Sequence, residues 1–297
     1  MRPDLQTQRT IAREAVVHGI GFFTGADVCL RFLPAEPGTG LVFSRADLPS
    51  APAIPATIEH VLPQPRRTTL QNGEATIEMV EHVLAALSGL GIDQCHVEVE
   101  GPETPGCDGS SLAFVEALLD AGLVELDAPR IIYRILELRM LEDGAARIEA
   151  IPIPVDQLIL SYELDYGDDN PIGRQSLQLV ITPESFQKEL APSRTFLLEA
   201  EAQALRALGM GARLSERDLL IIGDKGPIDN AFRFPDECVR HKMLDLLGDF
   251  ALLGRGLSGM IKAKRSGHHQ NALMVRELTR DAPARSRGRA AFASTTS

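Results

Sequence analysis

His241 and Asp245 are a pair of residues whose types and spacing suggest chemistry. They are four residues apart, so on a helix the imidazole and the carboxylate lie on one face, one turn apart. Both groups are good zinc ligands. A solvated helix face is the more common explanation for such a pair taken alone, because short motifs often occur by chance. A metal site therefore requires a further ligand elsewhere in the chain.

Glu81 and His82 supply a second candidate. Apolar residues recur around them at helical spacing and predict a helix over residues 76–87, which glycines at 89 and 91 end. Neighbours on a helix point about 100° apart, so His82 could bind a metal while Glu81 acts beside it. The spacing is not that of an HExxH metalloprotease. An ordinary half-exposed pair remains the alternative.

Together, His82, His241 and Asp245 would give zinc two imidazoles and one carboxylate. Three protein ligands leave a fourth zinc position for water, which is the pattern of a catalytic site and not of a structural one. Glu81, next to His82, could then take a proton from that water.

His268 follows Gly267, and Asp249 lies one helical turn beyond Asp245. The imidazole of His268 could give a proton to a leaving group, and Asp249 could orient and charge it. With these two residues the chain contains a ligand set, a base and an acid.

The elements that must position these residues alternate between strands and helices. We predict a hairpin turn at Asn72-Gly73, a linker at residues 127–129 and a disordered tail at 281–297. The predicted strands cover residues 28–33, 95–100, 131–138, 146–151, 158–164, 175–181, 219–222 and 258–264. The predicted helices cover residues 76–87, 112–121, 183–190, 197–208, 235–253 and 267–278.

Two halves with a similar order of strands and then helices suggest a pseudo-duplicated α+β protein. The 297 residues are long for one core and favour two domains. We predict an N-terminal α+β domain over residues 1–127, carrying Glu81 and His82. A C-terminal α+β domain over residues 128–280 would carry His241, Asp245 and His268.

Charge and composition narrow the class of partner. The net charge of −11 argues against nucleic-acid binding. Residues 225–268 are locally basic, with eight Lys or Arg against five Asp or Glu, which suits an anionic small substrate. No apolar run approaches the ~20 residues of a membrane span, and the polar N-terminus lacks a signal core. We therefore expect a cytoplasmic protein.

Five segments in this order strongly resemble the zinc-dependent UDP-3-O-acyl-N-acetylglucosamine deacetylases of lipid A synthesis, the LpxC family. The resemblance runs from about residue 8 to residue 278, nearly the whole chain. Each piece is weak alone, but the combination is highly specific. The segments are VEHVLAA (80–86), DGS (108–110), SRTF (193–196), RHKMLDLLGD (240–249) and SGH (266–268).

The resemblance implies a two-domain β-α-α-β sandwich with helices packed between sheets. Each domain would carry one small insert, and zinc would lie at the domain junction. The second insert, within residues 160–185, would form the passage for the substrate's acyl chain. We expect a monomer that acts on a small-molecule UDP-acylglucosamine.

The resemblance also implies roles for individual residues. The zinc ligands would be His82, His241 and Asp245. Glu81 would be the general base and His268 the general acid, with Asp249 supporting it.

Three further residues enter only through the resemblance. The hydroxyl of Thr195 would help to hold the tetrahedral oxyanion. Lys242 would contact the anionic part of the nucleotide sugar, and Phe196 would contact the substrate. The reaction would release acetate and a free glucosamine amine.

The chain departs from the family at two places. Phe23 stands in the turn 21–25 where the family commonly has a histidine, and residues 209–234 match the family poorly. Two other functions remain open: a zinc amidohydrolase acting on a different acylated sugar, and a non-catalytic relative that binds a nucleotide sugar. Loss of a ligand, base or acid would be expected in a non-catalytic copy, and all are present.

Overall fold

The computed structural model describes residues 6–280, apart from residues 49, 212 and 217. The predicted tail at 281–297 lies outside the described residues. The first half contains strands and helices with the following bounds: β1 (Thr7–Ile11), β2 (Ala15–Ile20), β3 (Asp27–Leu33), β4 (Leu41–Arg45), β5 (Ile54–Pro55), β6 (Val61–Leu62), β7 (Thr69–Asn72), β8 (Ala75–Glu78), α1 (Glu81–Gly89), β9 (Cys95–Val99), α2 (Leu112–Ala121) and β10 (Leu123–Pro129).

The second half has the same kinds of element, together with a π-helical turn at Phe186–Leu190. Its bounds are β11 (Ile132–Arg134), β12 (Arg139–Asp143), β13 (Ala146–Ile151), β14 (Leu158–Asp165), β15 (Arg174–Ile181), α3 (Pro183–Ser185), β16 (Phe196–Leu198), α4 (Glu199–Ala207), β17 (Leu220–Gly223), β18 (Gly226–Pro227), α5 (Glu237–Phe250), β19 (Gly256–Lys264) and α6 (His268–Arg280).

The main sheets of the two halves have the same topology. The strand orders are β2-β3-β9-β4-β5 and β12-β13-β19-β14-β15. In each sheet the strand that comes last in the chain, β9 or β19, lies in the middle. It is antiparallel to one neighbour, β3 or β13, and parallel to the other, β4 or β14. This correspondence confirms the predicted pseudo-duplicated α+β architecture.

Helices α1 and α2 of the first half and α5 and α6 of the second form the layer between the sheets. Helix α1 packs on α5, α2 packs on β2, and α6 packs on β12 and β13. Helix α1 is apolar nearly all round and almost wholly buried, as expected of a helix covered on every side. One continuous core therefore joins the two halves. None of the helices in the described ranges is long and apolar enough to cross a membrane.

Each half also carries a small separate sheet just before the helix that bears candidate site residues. Strands β6, β7 and β8 precede α1, and strands β16, β17 and β18, with α4, precede α5. The second insert is the sheet of β16, β17 and β18 with α4, so its predicted location at residues 160–185 is wrong. Strands β14 and β15 occupy that stretch, and alternate residues of β14 are buried in the core.

Three predicted boundaries also need correction. Residues 127–129 are not a linker, because they end strand β10, whose Pro129 pairs with Thr7 at a sheet edge where proline is tolerated. The first helix begins at Glu81, after strand β8 and a left-handed Met79 with φ 60°. Helix α4 begins at Glu199, since residues 196–198 pair with β17. The hairpin at Asn72-Gly73 is confirmed.

Candidate active site and metal centre

The first turn of α1 meets the last turn of α5 at very close range. A methyl group at Gly248 would lie 2.1 Å from the carbonyl oxygen of Glu81, so a side chain there would push the two helices apart. This contact sets His82 of one half opposite His241 and Asp245 of the other. The site is thus built where the two halves meet.

His82, His241 and Asp245 form a compact buried cluster. Their ligand-type atoms lie within 4.8 Å of one another. The Oδ1 atom of Asp245 is 3.5 Å from Nε2 of His82 and 3.4 Å from Nε2 of His241. This oxygen is buried and has no hydrogen-bond partner, which is costly unless another group satisfies it. The donor set and the unpartnered oxygen fit a divalent metal ion.

The environment of His241 suits a neutral ligand. Its Nδ1 lies 3.2 Å from the carbonyl oxygen of Ser193, so an Nδ1–H donor leaves the Nε2 lone pair facing the cluster. Burial, aided by the positive charges of neighbouring groups, lowers the pKa of His241 to about 4. An unprotonated imidazole is the form that binds metal.

A buried ion pair holds the segment that carries Ser193. The Nε of Arg194 lies 2.8 Å from Oε1 of Glu237, and the side chains are 5% and 0% exposed. The backbone N–H of Arg194 donates to the same carboxylate. The start of β16 is thereby tied to the first turn of α5, which sets His241 against its carbonyl partner.

Lys242 faces the cluster. Its ammonium donates a 2.8 Å hydrogen bond to Oδ2 of Asp245. Burial alone would lower the pKa of Lys242, but the charge of Asp245 raises it, so the group stays positive. Burial opposes ionisation of Asp245, yet His241 and Lys242 hold the pKa of that carboxyl well below its usual range.

Glu81 lies beside the cluster with its carboxylate fixed. Its Oε2 accepts a 3.0 Å hydrogen bond from the backbone N–H of Thr68, while Oε1 lies 3.9 Å from Nε2 of His268. Burial raises the pKa of the Glu81 carboxyl, against the attraction of His268 and His82. A carboxyl group with a raised pKa suits proton transfer near neutral pH.

His268 opens helix α6 and is bonded to Asp249. Its Nδ1 lies 2.9 Å from Oδ2 of Asp249, and Asn271 donates to the same oxygen at 2.8 Å. Burial would lower the pKa of His268, but the charge and hydrogen bond of Asp249, with the charges of Glu81 and Asp245, raise it to about 9. His268 is therefore protonated at neutral pH.

Two residues at the site were missed in the sequence. The Thr68 hydroxyl donates a 2.5 Å hydrogen bond to Oδ1 of Asp249, so Thr68 links the candidate base to the partner of the candidate acid. The hydroxyl of Tyr162 donates to the carbonyl oxygen of Ser266 and fixes the turn before His268. Neither residue stands in a recognisable motif, and their partners are far away in the chain.

Thr195 and Phe196 lie on the other side of His241. The hydroxyl of Thr195 is 3.2 Å from Nε2 of His241 and donates to the carbonyl oxygen of Gly109 at 3.1 Å. The ring of Phe196 packs edge-on to the His241 ring, with centroids 6.2 Å apart. All nine site residues predicted from the sequence thus fall in one region.

Two adjoining cavities meet at Thr195, Met79, Leu197 and Arg66. A polar cavity of about 630 Å³ contains the His-His-Asp cluster, Lys242 and His268. An apolar cavity of about 100 Å³ continues from it, between the turn at residues 21–25 and the second insert. It is lined by Phe22, Phe23, Met79, Leu197, Ala202, Leu205, Met210, Leu214, Leu219 and Ile221.

Sequence comparison identifies the family. The profile of the LpxC family, UDP-3-O-acyl N-acetylglycosamine deacetylase, matches residues 8–280. The chain belongs to the LpxC family. The UDP-3-O-acyl-N-acetylglucosamine deacetylases of Brucella melitensis biotype 2 and Brucella ovis are each 39% identical to this chain over 276 residues, which is 92% of the chain and 96% of each relative.

A longer LpxC relative is also similar. The bifunctional enzyme LpxC/FabZ of Chlorobaculum tepidum is 38% identical over 299 residues, covering 91% of this chain. The chain spans 64% of the length of that enzyme. The family profile, which matches residues 8–280, covers every site residue described above, from Thr68 to His268.

Proposed function

We propose that this protein removes the N-acetyl group of UDP-3-O-(3-hydroxyacyl)-N-acetylglucosamine in lipid A synthesis, releasing acetate and a free amine. Membership of the LpxC family supports the substrate. The observation that carries the proposal is the cluster of His82, His241 and Asp245, with a carboxyl on one side and a protonated imidazole on another.

The metal is proposed to be zinc, held by His82, His241 and Asp245. Nitrogen and carboxylate ligands in this number are typical of catalytic zinc sites. Such an ion supplies Lewis acidity, since it lowers the pKa of water from 15.7 to ~7 and polarises carbonyl groups. The buried, unpartnered Oδ1 of Asp245 supports this ligand set.

Glu81 acts as general base in the proposed mechanism. Its carboxylate takes a proton from the water that attacks the acetamide carbon, and the N–H of Thr68 holds the carboxylate in place. His268 acts as general acid and gives its proton to the departing nitrogen, because an amide nitrogen leaves poorly unless it is protonated. Asp249 keeps His268 charged and oriented.

Three further residues complete the proposed site. The hydroxyl of Thr195 donates to the developing oxyanion, a role worth about 3–4 kcal/mol per donor in other enzymes. Lys242 meets the negative charge of the nucleotide sugar, and Phe196 packs against the substrate. The apolar cavity beside Thr195 receives the acyl chain, because its lining is almost wholly hydrocarbon.

The positions of the proposed metal ligands in the chain bear on its division into domains. We propose an N-terminal domain over residues 1–127 and a C-terminal domain over residues 128–280, with the substrate bound between them. The metal ligands would then come from both domains, as the contact between α1 and α5 allows.

A direct assay tests the function. Purified protein is analysed for metal and incubated with UDP-3-O-(3-hydroxytetradecanoyl)-N-acetylglucosamine, with release of acetate and free amine as the readout. We expect about one zinc per chain, loss of turnover on chelation and recovery on adding zinc. Hydrolysis of another acylated amide sugar in place of this substrate would favour the related amidohydrolase, and bound substrate without turnover would favour a non-catalytic relative.

A further inference from the structure

Glu103, in the segment between β9 and α2, has a fully buried carboxylate whose hydrogen-bond partners lie far away in the chain. It is 0% exposed, and within the described part of the chain no Lys, Arg or His nitrogen lies within 4.0 Å of it. A buried carboxylate needs hydrogen-bond donors or an opposite charge to offset lost hydration. The donors that Glu103 uses all belong to the turn at residues 21–25.

The hydrogen bonds to this turn are specific. The backbone N–H of Phe23 donates to Oε1 of Glu103 at 2.9 Å. The N–H and the hydroxyl of Thr24 each donate to Oε2 at 3.0 Å. A methyl group at Gly21 would lie 2.5 Å from Oε2 of Glu103, so glycine at this position lets the carboxylate approach the turn.

The position of Glu103 is itself fixed. Its backbone pairs with Glu78 at the end of β8, and the flanking N–H of Thr104 donates to the carbonyl oxygen of Glu78. Glu78 holds the turn by a second route, because its carboxylate lies 2.7 Å from Nε of Arg67. The guanidinium of Arg67 lies 4.1 Å from the centroid of the Phe23 ring. Glu103 thus fixes the backbone of the turn, and Glu78 fixes the Phe23 ring.

The turn forms one wall of the apolar cavity. Phe22 is 7% exposed, and a methyl group at Gly106 would lie 2.1 Å from its ring, so the ring packs directly against that backbone. Phe22 and Phe23 face Leu197, Met210 and other apolar residues of the second insert across the cavity. The distance between the two walls therefore depends on where the turn is held.

We propose that Glu103 is a positioning residue for specificity: by holding the turn at Phe23 and Thr24, it sets the width of the cavity that takes the substrate's aliphatic acyl chain. This inference rests on the proposed deacetylase function. Because every methylene buried in the cavity contributes to binding, a displaced wall weakens binding of a long chain far more than that of a short one. Glu103 lies outside the polar cavity, so it leaves the proton transfers unchanged.

The test compares Glu103→Gln with wild type on two substrates, the 3-hydroxybutanoyl and 3-hydroxytetradecanoyl esters of UDP-N-acetylglucosamine. Glutamine keeps the shape but turns an NH₂ toward a donor of the turn. We expect KM for the long chain to rise about tenfold, as the loss of one such hydrogen bond predicts. We expect kcat on both substrates, and KM for the short chain, to stay within about twofold of wild type.

Glu100→Gln is the matched control, because Glu100 is an exposed carboxylate that pairs with Arg31 and does not touch the turn. It should leave both KM values unchanged. Thr24→Val serves if Glu103→Gln does not fold, because at an exposed position it removes only the hydroxyl, which donates to Glu103 and accepts from the N–H of Ala26. It should raise KM for the long chain by a smaller factor, about twofold to fivefold.

The outcomes separate this inference from the proposed function. A wild-type protein that hydrolyses neither ester overturns the proposed function. A wild-type protein that hydrolyses both, together with Glu103→Gln or Thr24→Val effects that are absent or equal for the two chain lengths, overturns the role of Glu103 alone. A selective rise in KM for the long chain supports it.

Discussion

Two histidines border the polar cavity, one in the middle of α5 and one at the head of α6. Both His241 and His268 are largely buried, and both use Nδ1 to hold the ring in place. The partner of His241 is the neutral carbonyl oxygen of Ser193, whereas the partner of His268 is the carboxylate of Asp249. Burial prevails at His241 and lowers its pKa to about 4, while the surrounding carboxylates raise that of His268 to about 9.

The difference shows how one side-chain type can suit two different chemical roles within one cavity. A neutral imidazole presents a lone pair and suits a metal ligand. A charged imidazole presents a proton and suits a general acid. The group bonded to Nδ1 and the sign of the neighbouring charge decide between the two, so each can be tested by substitution.

The largest expected effect comes from replacing His241, the proposed metal ligand. We expect His241→Ala to lose its stoichiometric zinc and to lower kcat by more than ~10³-fold, because even hydrogen-bond partners of ligands are worth about 10–100-fold. Metal analysis and steady-state kinetics measure both. His96→Ala, a change on strand β9, should keep the metal. Retention of a full equivalent of zinc by His241→Ala would contradict the ligand assignment.

Replacing His268, the proposed general acid, should affect turnover but not metal binding. We expect His268→Ala to keep zinc while kcat falls by about 10²–10⁴-fold, the usual range for loss of a general acid. The adjacent His269→Ala is the matched control and should retain nearly full activity. Loss of metal from His268→Ala would mean that His268 is a ligand and that the two histidines do not divide the roles as proposed.

Asp249→Asn tests what separates the two pKa values. A general acid must be protonated, so activity should fall as the pH rises through the pKa of His268. Removing the negative charge of Asp249 lowers that pKa, and the alkaline limb of the kcat profile should therefore move to lower pH. We also expect kcat at neutral pH to fall by about 10–100-fold. An unmoved alkaline limb would show that another group produces it.

Thr68→Val should have the smallest effect. It removes the hydroxyl bonded to Asp249 but keeps the backbone N–H bonded to Glu81, and we expect kcat to fall by about tenfold. Thr69→Val is a close control, since the buried hydroxyl of Thr69 has no hydrogen-bond partner. It should keep full activity, and equal losses in both variants would indicate a packing defect.

Local patterns in the chain predicted much of this site. His241, Asp245 and Asp249 share one helix face, and helical periodicity alone places them together. That Glu81-His82 and His268 would meet this face depended on the family resemblance, because contacts between distant segments leave no local pattern. Thr68 was missed for the same reason, since its partner Asp249 lies 181 residues away.

The fold was predicted well where periodicity was strong and poorly where composition or the family resemblance was used in its place. Proline at position 129 suggested a linker, but an edge strand accommodates it. The second insert was sought at residues 160–185, although the burial of Leu160, Tyr162 and Leu164 on alternate positions of β14 belongs to a core strand. The repeated sheet topology, once visible, indicates the correct location between β15 and α5.

Glycine at position 248, which has no side chain to separate the two helices, has a thermodynamic consequence. Because α1 and α5 touch backbone to backbone there, a bound ion is also a crosslink between the two halves of the chain. Its binding free energy then adds to the free energy of unfolding by mass action, about 2.7 kcal/mol at a hundredfold excess over Kd. We expect Gly248→Ala to weaken zinc affinity without altering any ligand, so that metal titration reports how closely the halves are docked.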